Sequence, residues 1–184
     1  TKDDATLGTI KRFPAEQKDY ALETTANVST KTYTAPAVKS GKANVADIVA
    51  AQSDAFLAGG KAYVIANDKL YEVLNDGDAA NDPFILDIRS AADYAKGHVK
   101  GAVNVPFANV FKAENLAKLP TDKQIVTVCY TGHTASMTAF YLDALGYNAV
   151  ALKWAIMGWS KNDEPLGTNK RFPAEQKDYA IVKQ

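Results

Sequence analysis

Residues 124–137 read QIVTVCYTGHTASM and contain the only cysteine of the chain. The β-branched first half is typical of a buried strand, and the segment 134–146 predicts a helix that ends at a glycine. In an open parallel sheet, ligands bind at the carboxyl ends of the strands, which is where Cys129 falls. The amides of residues 130–135 and the N-terminus of the following helix would create a positive potential that favours a thiolate. The stretch therefore predicts an activated cysteine in an anion-binding loop, with an inert buried cysteine as the alternative.

Strands and helices alternate along the chain from residue 62 onward. We predict strands at 62–66, 83–89, 102–106, 124–129 and 148–153, and helices at 44–60, 68–76, 91–97, 134–146 and around 154–159. The strands lack in–out alternation of polar and apolar residues, as expected when helices cover both faces of a parallel sheet. The predicted fold is therefore α/β, with an open parallel sheet of about five strands, helices on both faces, and an added N-terminal arm and helix.

One segment occurs twice: LGTIKRFPAEQKDYA at residues 7–21 returns as LGTNKRFPAEQKDYA at 166–180, with one mismatch in 15 positions. The match continues more weakly backwards, so that residues 1–21 repeat 160–180 at an offset of 159. A duplicated tail on one domain is one interpretation. The other is one unit of a tandem array, in which residues 1–21 end the preceding copy and pack against the domain as 160–180 do, or form a free tail. We divide the chain into an N-terminal arm and helix at 1–61, a domain at 62–165 and a tail at 166–184.

Composition argues against several classes of partner. The 21 basic and 21 acidic residues balance, so no overall positive charge favours nucleic acid or a membrane surface. No apolar run approaches the ~18 residues that a membrane span needs. A single cysteine cannot form an internal disulfide, and the sequence predicts no particular oligomeric state. The Thr-, Lys- and Ala-rich arm and the missing initial Met favour the bacterial periplasm or cell envelope, with the cytoplasm as the alternative.

Three blocks resemble the rhodanese family, in that family's order and spacing. YAKGHVKGAVNVP at 94–106 has the signature of an aromatic residue, three residues, His, an aliphatic residue, any residue, Gly-Ala, two residues and an aliphatic residue. LDIRS at 86–90 matches the family's Asp-aliphatic-Arg, and CYTGHTAS at 129–136 matches its six-residue active-site loop. The resemblance spans residues 62–165 and implies a rhodanese-like sulfurtransferase.

The resemblance implies that Cys129 takes the outer sulfur of a small donor such as polysulfide or thiosulfate. The cysteine would carry this sulfur as a persulfide and pass it to a thiol or protein acceptor, with no metal and no organic cofactor. The predicted catalytic residue is Cys129, and the predicted substrate-binding residues are Tyr130, Thr131, Gly132, His133, Thr134, Ala135, Arg89 and Trp154. His98 belongs to the signature, but a structural histidine is the favoured interpretation.

The chain departs from the family's pattern at two places. Rhodaneses that handle thiosulfate often carry Arg or Lys inside the loop, whereas residues 130–134 contain neither. This favours a less charged donor, such as polysulfide or a protein-bound persulfide, with His133 as a source of charge at lower pH. Trp154-Ala155 stand where the family has Gly-Gly; Trp154 either walls the mouth of the cysteine pocket or packs in the core. Lys153 is either a substitute cation for the loop or a surface lysine.

Other functions fit the same loop less well. A related phosphatase needs Cys, five residues and then Arg to grip the phosphoryl oxygens, but residue 135 is Ala. Arsenate reduction is a weaker enzyme alternative. A sulfur carrier without turnover, or a partner-binding module, remains the non-enzymatic alternative, and turnover with small donors would distinguish it from an enzyme.

Overall fold

The β-branched and aliphatic runs of the sequence form short strands of one parallel sheet. The computed structural model describes residues 13–38 and 40–172. Within them the strands are β1 (Val64–Ile65), β2 (Phe84–Asp87), β3 (Val103–Asn104), β4 (Ile125–Val128) and β5 (Ala149–Leu152). Their order is β1-β5-β4-β2-β3, and every neighbouring pair is parallel. The predicted α/β fold with a parallel sheet is confirmed.

Helices occupy the connections between the strands. They are α1 (Phe13–Glu16), α2 (Val45–Ala58), α3 (Asn67–Val73), α4 (Ala91–Ala95), α5 (Ala113–Leu116), α6 (His133–Ala144) and α7 (Ala155–Trp159), with 3₁₀ turns at Phe107–Asn109 and Glu164–Leu166. Helix α6 packs on β4 and β5, and α2 packs on α6. The sequence does not predict α1 and α5, because an element of four residues is too short to show a helical period. In the described ranges no helix has the length and apolar character that a membrane span requires.

The middle of the sheet is the core of the fold. All four residues of β4 and of β5 are buried, and β4 lies between β2 and β5. The hydroxyl of Thr127 donates a hydrogen bond to the carbonyl of Ala135, 2.9 Å away, and so ties β4 to the first turn of α6. Cys129 follows β4 directly, so the thiol lies at the carboxyl edge of the central strand.

The N-terminal arm runs along the edge of the domain that carries β3. Glu23 and His98 exchange two backbone hydrogen bonds of 2.9 Å each, and Asn27 forms a parallel bridge with Val103. The Asn27 side chain also donates to the carbonyl of Ala102, at 3.3 Å. The predicted arm is therefore a packed part of the domain rather than a linker free of it.

His98 joins the arm to the family's signature segment. Its ring is fully buried and stacks on Tyr94 with 3.7 Å between the ring centroids. Nδ1 lies 2.9 Å from the carbonyl oxygen of Tyr94, and Nε2 lies 3.1 Å from that of Thr25. The buried ring is thus held between α4 and the arm, which fits the structural interpretation of His98.

The repeated segment is described in part. Residues 13–21 of the first copy pack against α7, which both interpretations of the repeat allow. Residues 1–12, and residues 173–180 of the second copy, lie outside the described residues. The tandem array therefore stays a prediction.

Candidate active site

Cys129 is the central residue of the candidate active site. It is 2% exposed, and its Sγ accepts a hydrogen bond from the backbone N–H of Gly132, with 3.1 Å between nitrogen and sulfur. Gly132 has φ = 100°, a backbone conformation that side chains with a Cβ rarely adopt. The glycine therefore allows the loop to turn its amide back onto the sulfur.

The loop continues directly into α6. Helix α6 begins at His133, one residue after the amide that contacts the sulfur, and it is 12 residues long. Thr134 and Ala135 lie in its first turn, where unpaired N–H groups give a positive potential. The structure thus brings the predicted loop residues together between the end of β4 and the start of α6. This arrangement favours a negative charge near Cys129.

A strained turn before α7 holds the same loop. The N–H of Ile156 donates to the carbonyl of Cys129 at 3.2 Å, and that of Met157 donates to the carbonyl of Tyr130 at 3.0 Å. To reach this position, Trp154 and Ala155 adopt φ = 58° and 44°. Left-handed backbone costs a residue other than glycine about 1–2 kcal/mol, which explains why Gly-Gly is the family's pattern here.

The side chain of Trp154 contacts the N-terminal segment. Its ring packs edge-on against Phe13 with 5.3 Å between centroids, and Nε1 donates to Oε2 of Glu16 at 2.7 Å. Lys153 Nζ lies 2.7 Å from Oε1 of the same carboxylate. Of the two interpretations of Trp154, these contacts fit packing. Lys153 is likewise paired with Glu16, and its role as a substitute cation for the loop stays a prediction.

Tyr130 anchors the loop to α4. Its hydroxyl donates to Oδ2 of Asp93 at 2.8 Å. A hydrogen bond from Lys96 and further ones from Tyr130 and Ser90 lower the pKa of the Asp93 carboxyl to about 2, against the opposing effect of burial. Sequence reasoning missed Asp93, although the pattern Ser-x-x-Asp at the start of α4 is a visible helix-capping signal.

Thr131 and His133 form a polar pair at the outer side of the loop. The Thr131 hydroxyl and Nδ1 of His133 are 2.8 Å apart, and His133 is exposed. The predicted role of His133 in binding a donor stays a prediction.

Arg89 lies behind the loop, where its charge is paired with a buried carboxylate. Its side chain is fully buried and forms an ion pair of 2.6 Å with Asp87. Its two terminal nitrogens also donate to the carbonyls of Pro165 and Gly97, at 2.8 and 2.9 Å. The guanidinium lies 5.9 Å from the centre of the Tyr130 ring. These contacts hold Arg89 behind the loop, and its predicted role in binding a donor stays a prediction.

Comparison with known families identifies the domain. The sequence model of the rhodanese-like domain matches residues 66–162, more than half of the 184-residue chain. The chain belongs to the rhodanese-like family. Across residues 13–38 and 40–172, no cluster of three or more His, Cys, Asp or Glu side chains is arranged to hold a metal ion.

Several relatives carry sulfurtransferase names. The chain is 27% identical over 86 residues to "Sulfurtransferase" of Allochromatium vinosum, covering 46% of this chain and 78% of that protein. It is 29% identical over 113 residues to "Uncharacterized protein YibN" of Escherichia coli K12, covering 60% and 76%. It is 30% identical over 82 residues to "Probable adenylyltransferase/sulfurtransferase MoeZ" of Mycobacterium tuberculosis, covering 44% of this chain and only 21% of that relative's length. Family membership and these names support sulfur transfer in general.

A solved structure of a similar protein is the rhodanese-like domain protein of Staphylococcus aureus. It is 23% identical, with a TM-score of 0.48, and the match covers 53% of this chain and 91% of that one.

Proposed function

We propose that the protein is a sulfurtransferase that carries sulfane sulfur as a persulfide on Cys129. The observation that carries the proposal is the N–H of Gly132, which points at the Cys129 sulfur from 3.1 Å at the start of α6. A donor in this position stabilises the thiolate that attacks a sulfur donor.

The proposed reaction has two displacement steps. The Cys129 thiolate attacks the terminal sulfane sulfur of a polysulfide, a sulfur–sulfur bond of the donor breaks, and the shortened polysulfide leaves as an anion. An acceptor thiolate then attacks the outer sulfur of the Cys129 persulfide, and Cys129 leaves as the thiolate. Each step exchanges one sulfur–sulfur bond for another, so no external oxidant or reductant is required.

The chemistry of the loop favours polysulfide or a protein-bound persulfide over thiosulfate. Residues 130–134 carry no Arg or Lys, and nearby Lys153 and Arg89 are paired with carboxylates. The three oxygens of thiosulfate, which a charged, forked side chain binds best, would therefore lack such a partner. The neutral amides of the loop are sufficient for the less concentrated charge of a terminal sulfur.

Mass spectrometry of the intact chain tests the proposal. Because Cys129 is the only cysteine, any reducible gain of one sulfur atom reports on this residue. We expect polysulfide to add sulfur to the wild-type chain faster than thiosulfate does, and we expect Cys129→Ser to gain none while keeping its fold. Absence of loading with either donor, or loading of the serine variant, would refute the assignment.

A sulfur carrier without turnover is the second candidate, because one relative, 32% identical over 66 residues, is "Putative sulfur carrier protein YrkF" of Bacillus subtilis. A carrier would be loaded once and would transfer its sulfur only to a protein. Repeated turnover of polysulfide with cyanide as acceptor would support the enzyme, whereas stoichiometric loading with transfer only to a protein thiol would support the carrier.

A further inference from the structure

The segment FPAEQKDYA at residues 13–21 is seated on α7 by main-chain hydrogen bonds. The N–H of Lys18 donates to the carbonyl of Gly158, and the N–H of Tyr20 donates to that of Trp159, both at 2.9 Å. In return, Nε1 of Trp159 donates to the carbonyl of Ala21 at 3.3 Å. Alternate residues of the segment thus bond to the end of α7, much as an added strand binds a sheet edge.

Three side chains anchor the segment at intervals of three or four residues. Phe13 is 4% exposed and packs on Trp154. The ring of Phe172 from the same chain contacts both, with centroids 6.0 Å from Phe13 and 6.2 Å from Trp154. Glu16 binds both Trp154 Nε1 and Lys153 Nζ, each at 2.7 Å. Tyr20 stacks on Tyr71, with 4.0 Å between centroids and 11° between planes.

These contacts define a docking groove with distinct sub-sites for an aromatic residue, a carboxylate and a second aromatic residue. The groove is lined by Tyr71, Lys153, Trp154, Gly158 and Trp159. Aromatic anchors and a charge-assisted hydrogen bond are the features that usually dominate binding at an interface.

The nine residues that fill this groove occur again, without a mismatch, at 172–180. The residues that contact the groove, Phe13, Glu16, Lys18 and Tyr20, correspond to Phe172, Glu175, Lys177 and Tyr179. We propose that FPAEQKDYA is a docking peptide, and that residues 172–180 bind the same groove on a second copy of this domain after that copy's own residues 13–21 have left it. Phe172, which packs against Phe13 and Trp154 of its own chain, would move with the segment. The exchange would join rhodanese-like domains head to tail.

The two copies of the peptide compete for one groove. Residues 13–21 are tethered to the domain, so their effective concentration at the groove is in the millimolar range, and they exclude a free peptide. Because a head-to-tail contact uses two different surfaces, it can extend through successive domains without closing into a dimer. The proposal is independent of the sulfur chemistry and can fail without affecting it.

Peptide binding to the full chain tests the proposal. The probe is a fluorescein-labelled FPAEQKDYA peptide. The receptor is the full chain with four substitutions, Glu16→Ala, Tyr20→Ala, Glu175→Ala and Tyr179→Ala. These changes weaken the binding of the receptor's own two copies of the peptide to its groove. We expect the probe to bind this receptor at least about tenfold more tightly than a matched peptide with the same Glu→Ala and Tyr→Ala changes. We expect wild-type chain to bind the probe about 100-fold more weakly than the receptor does, because its groove is filled. Equal binding of probe and control peptide by a receptor with a native circular dichroism spectrum would overturn the proposal.

Zero-length cross-linking provides a second test that keeps the segment almost intact. Glu16→Gln removes the carboxylate that now lies 2.7 Å from Lys153 Nζ. A carbodiimide should then join Lys153 to Glu175 of another copy, which a mixture of ¹⁵N-labelled and unlabelled chains reveals as mixed-isotope peptides. Wild-type chain, the matched control, should give several-fold fewer of them. Cross-links confined to single-isotope peptides, or no Lys153–Glu175 cross-link at all, would contradict docking between copies.

Discussion

Replacing Arg89 by Met should destabilise the fold severely, because the arginine neutralises a buried carboxylate. Both side chains of the Asp87–Arg89 pair are fully excluded from solvent. Removing the cation leaves Asp87 charged and buried, which typically costs about 3–5 kcal/mol. The carbonyls of Pro165 and Gly97 also lose their donors, at about 1 kcal/mol each. We therefore expect Arg89→Met to lower the free energy of unfolding by about 5 kcal/mol or more, a large part of the 5–15 kcal/mol typical of a domain.

The double variant Asp87→Leu/Arg89→Met separates pairing from packing. It removes both charges, so it should cost about 2–3 kcal/mol, mainly for the lost hydrogen bonds to the two carbonyls. The sum of the single variants should exceed this by about 3 kcal/mol or more. Urea unfolding followed by tryptophan fluorescence measures all three free energies.

An exposed ion pair serves as the control for the same measurement. Lys69 and Glu72 are 2.8 Å apart, but their side chains are 69% and 62% exposed. Lys69→Met should leave the urea midpoint of unfolding essentially unchanged, because solvent and salt screen an exposed pair. If Arg89→Met costs less than about 1 kcal/mol, the structural interpretation is wrong. If this folded variant also needs a higher polysulfide concentration to half-saturate loading of Cys129, then Arg89 contacts the donor.

Three further predictions concern the surroundings of the loop. The pKa of Asp93 is lowered from 3.8 to about 2 in the folded chain, so its contribution to stability is present above pH 3.8 and is lost as the pH falls towards 2. Asp93→Asn should reduce the loss of unfolding free energy between pH 3.8 and 2, measured by urea unfolding at each pH. An unchanged loss would show that the contacts of Asp93 do not stabilise the fold. Gly132→Ala should lower the free energy of unfolding by about 1–2 kcal/mol and slow persulfide loading, because alanine is strained at φ = 100°. Its Cβ would fit without a clash, since the nearest atom would lie 3.5 Å away. Trp154→Gly should destabilise the wild-type chain, because the indole loses its contacts with Glu16, Phe13 and Phe172. In a background where all three partners are replaced by Ala, it should stabilise by up to about 1 kcal/mol through relief of strain, and the same sign in both backgrounds would refute this explanation.

The fold could be predicted where the sequence carries a local signal. The β-branched run before Cys129 predicts β4, and the helical segment ending at Gly146 predicts α6. A strand that is buried on both faces reads as a continuous apolar run, and a glycine in left-handed conformation marks the end of a helix. These signals depend on neighbours in the chain, so they are visible without the fold.

Contacts between distant residues could not be predicted in this way. The Asp-aliphatic-Arg pattern at the end of β2 predicts that Arg89 lies near the pocket, but the fold supplies Pro165 and Gly97 as acceptors that fix its guanidinium. Tyr130 and Asp93 are 37 positions apart, and only the packing of the loop against α4 makes them partners. A sequence pattern identifies residue types that suit a site, whereas tertiary packing determines which partner each side chain has.

The turn at residues 153–157 contacts both the loop that follows Cys129 and the docked segment 13–21. Its main-chain amides hold the carbonyls of Cys129 and Tyr130, while the side chains of Lys153 and Trp154 hold Glu16. A Gly-Gly turn would satisfy the first contact with less strain but would provide no indole for the second. The left-handed backbone of Trp154 costs about 1–2 kcal/mol, and a charge-assisted hydrogen bond contributes a similar amount, so the docked segment offsets the strain. The docked segment 13–21 therefore explains the departure from the family's Gly-Gly pattern. Without this segment, Trp154 should destabilise the fold relative to glycine.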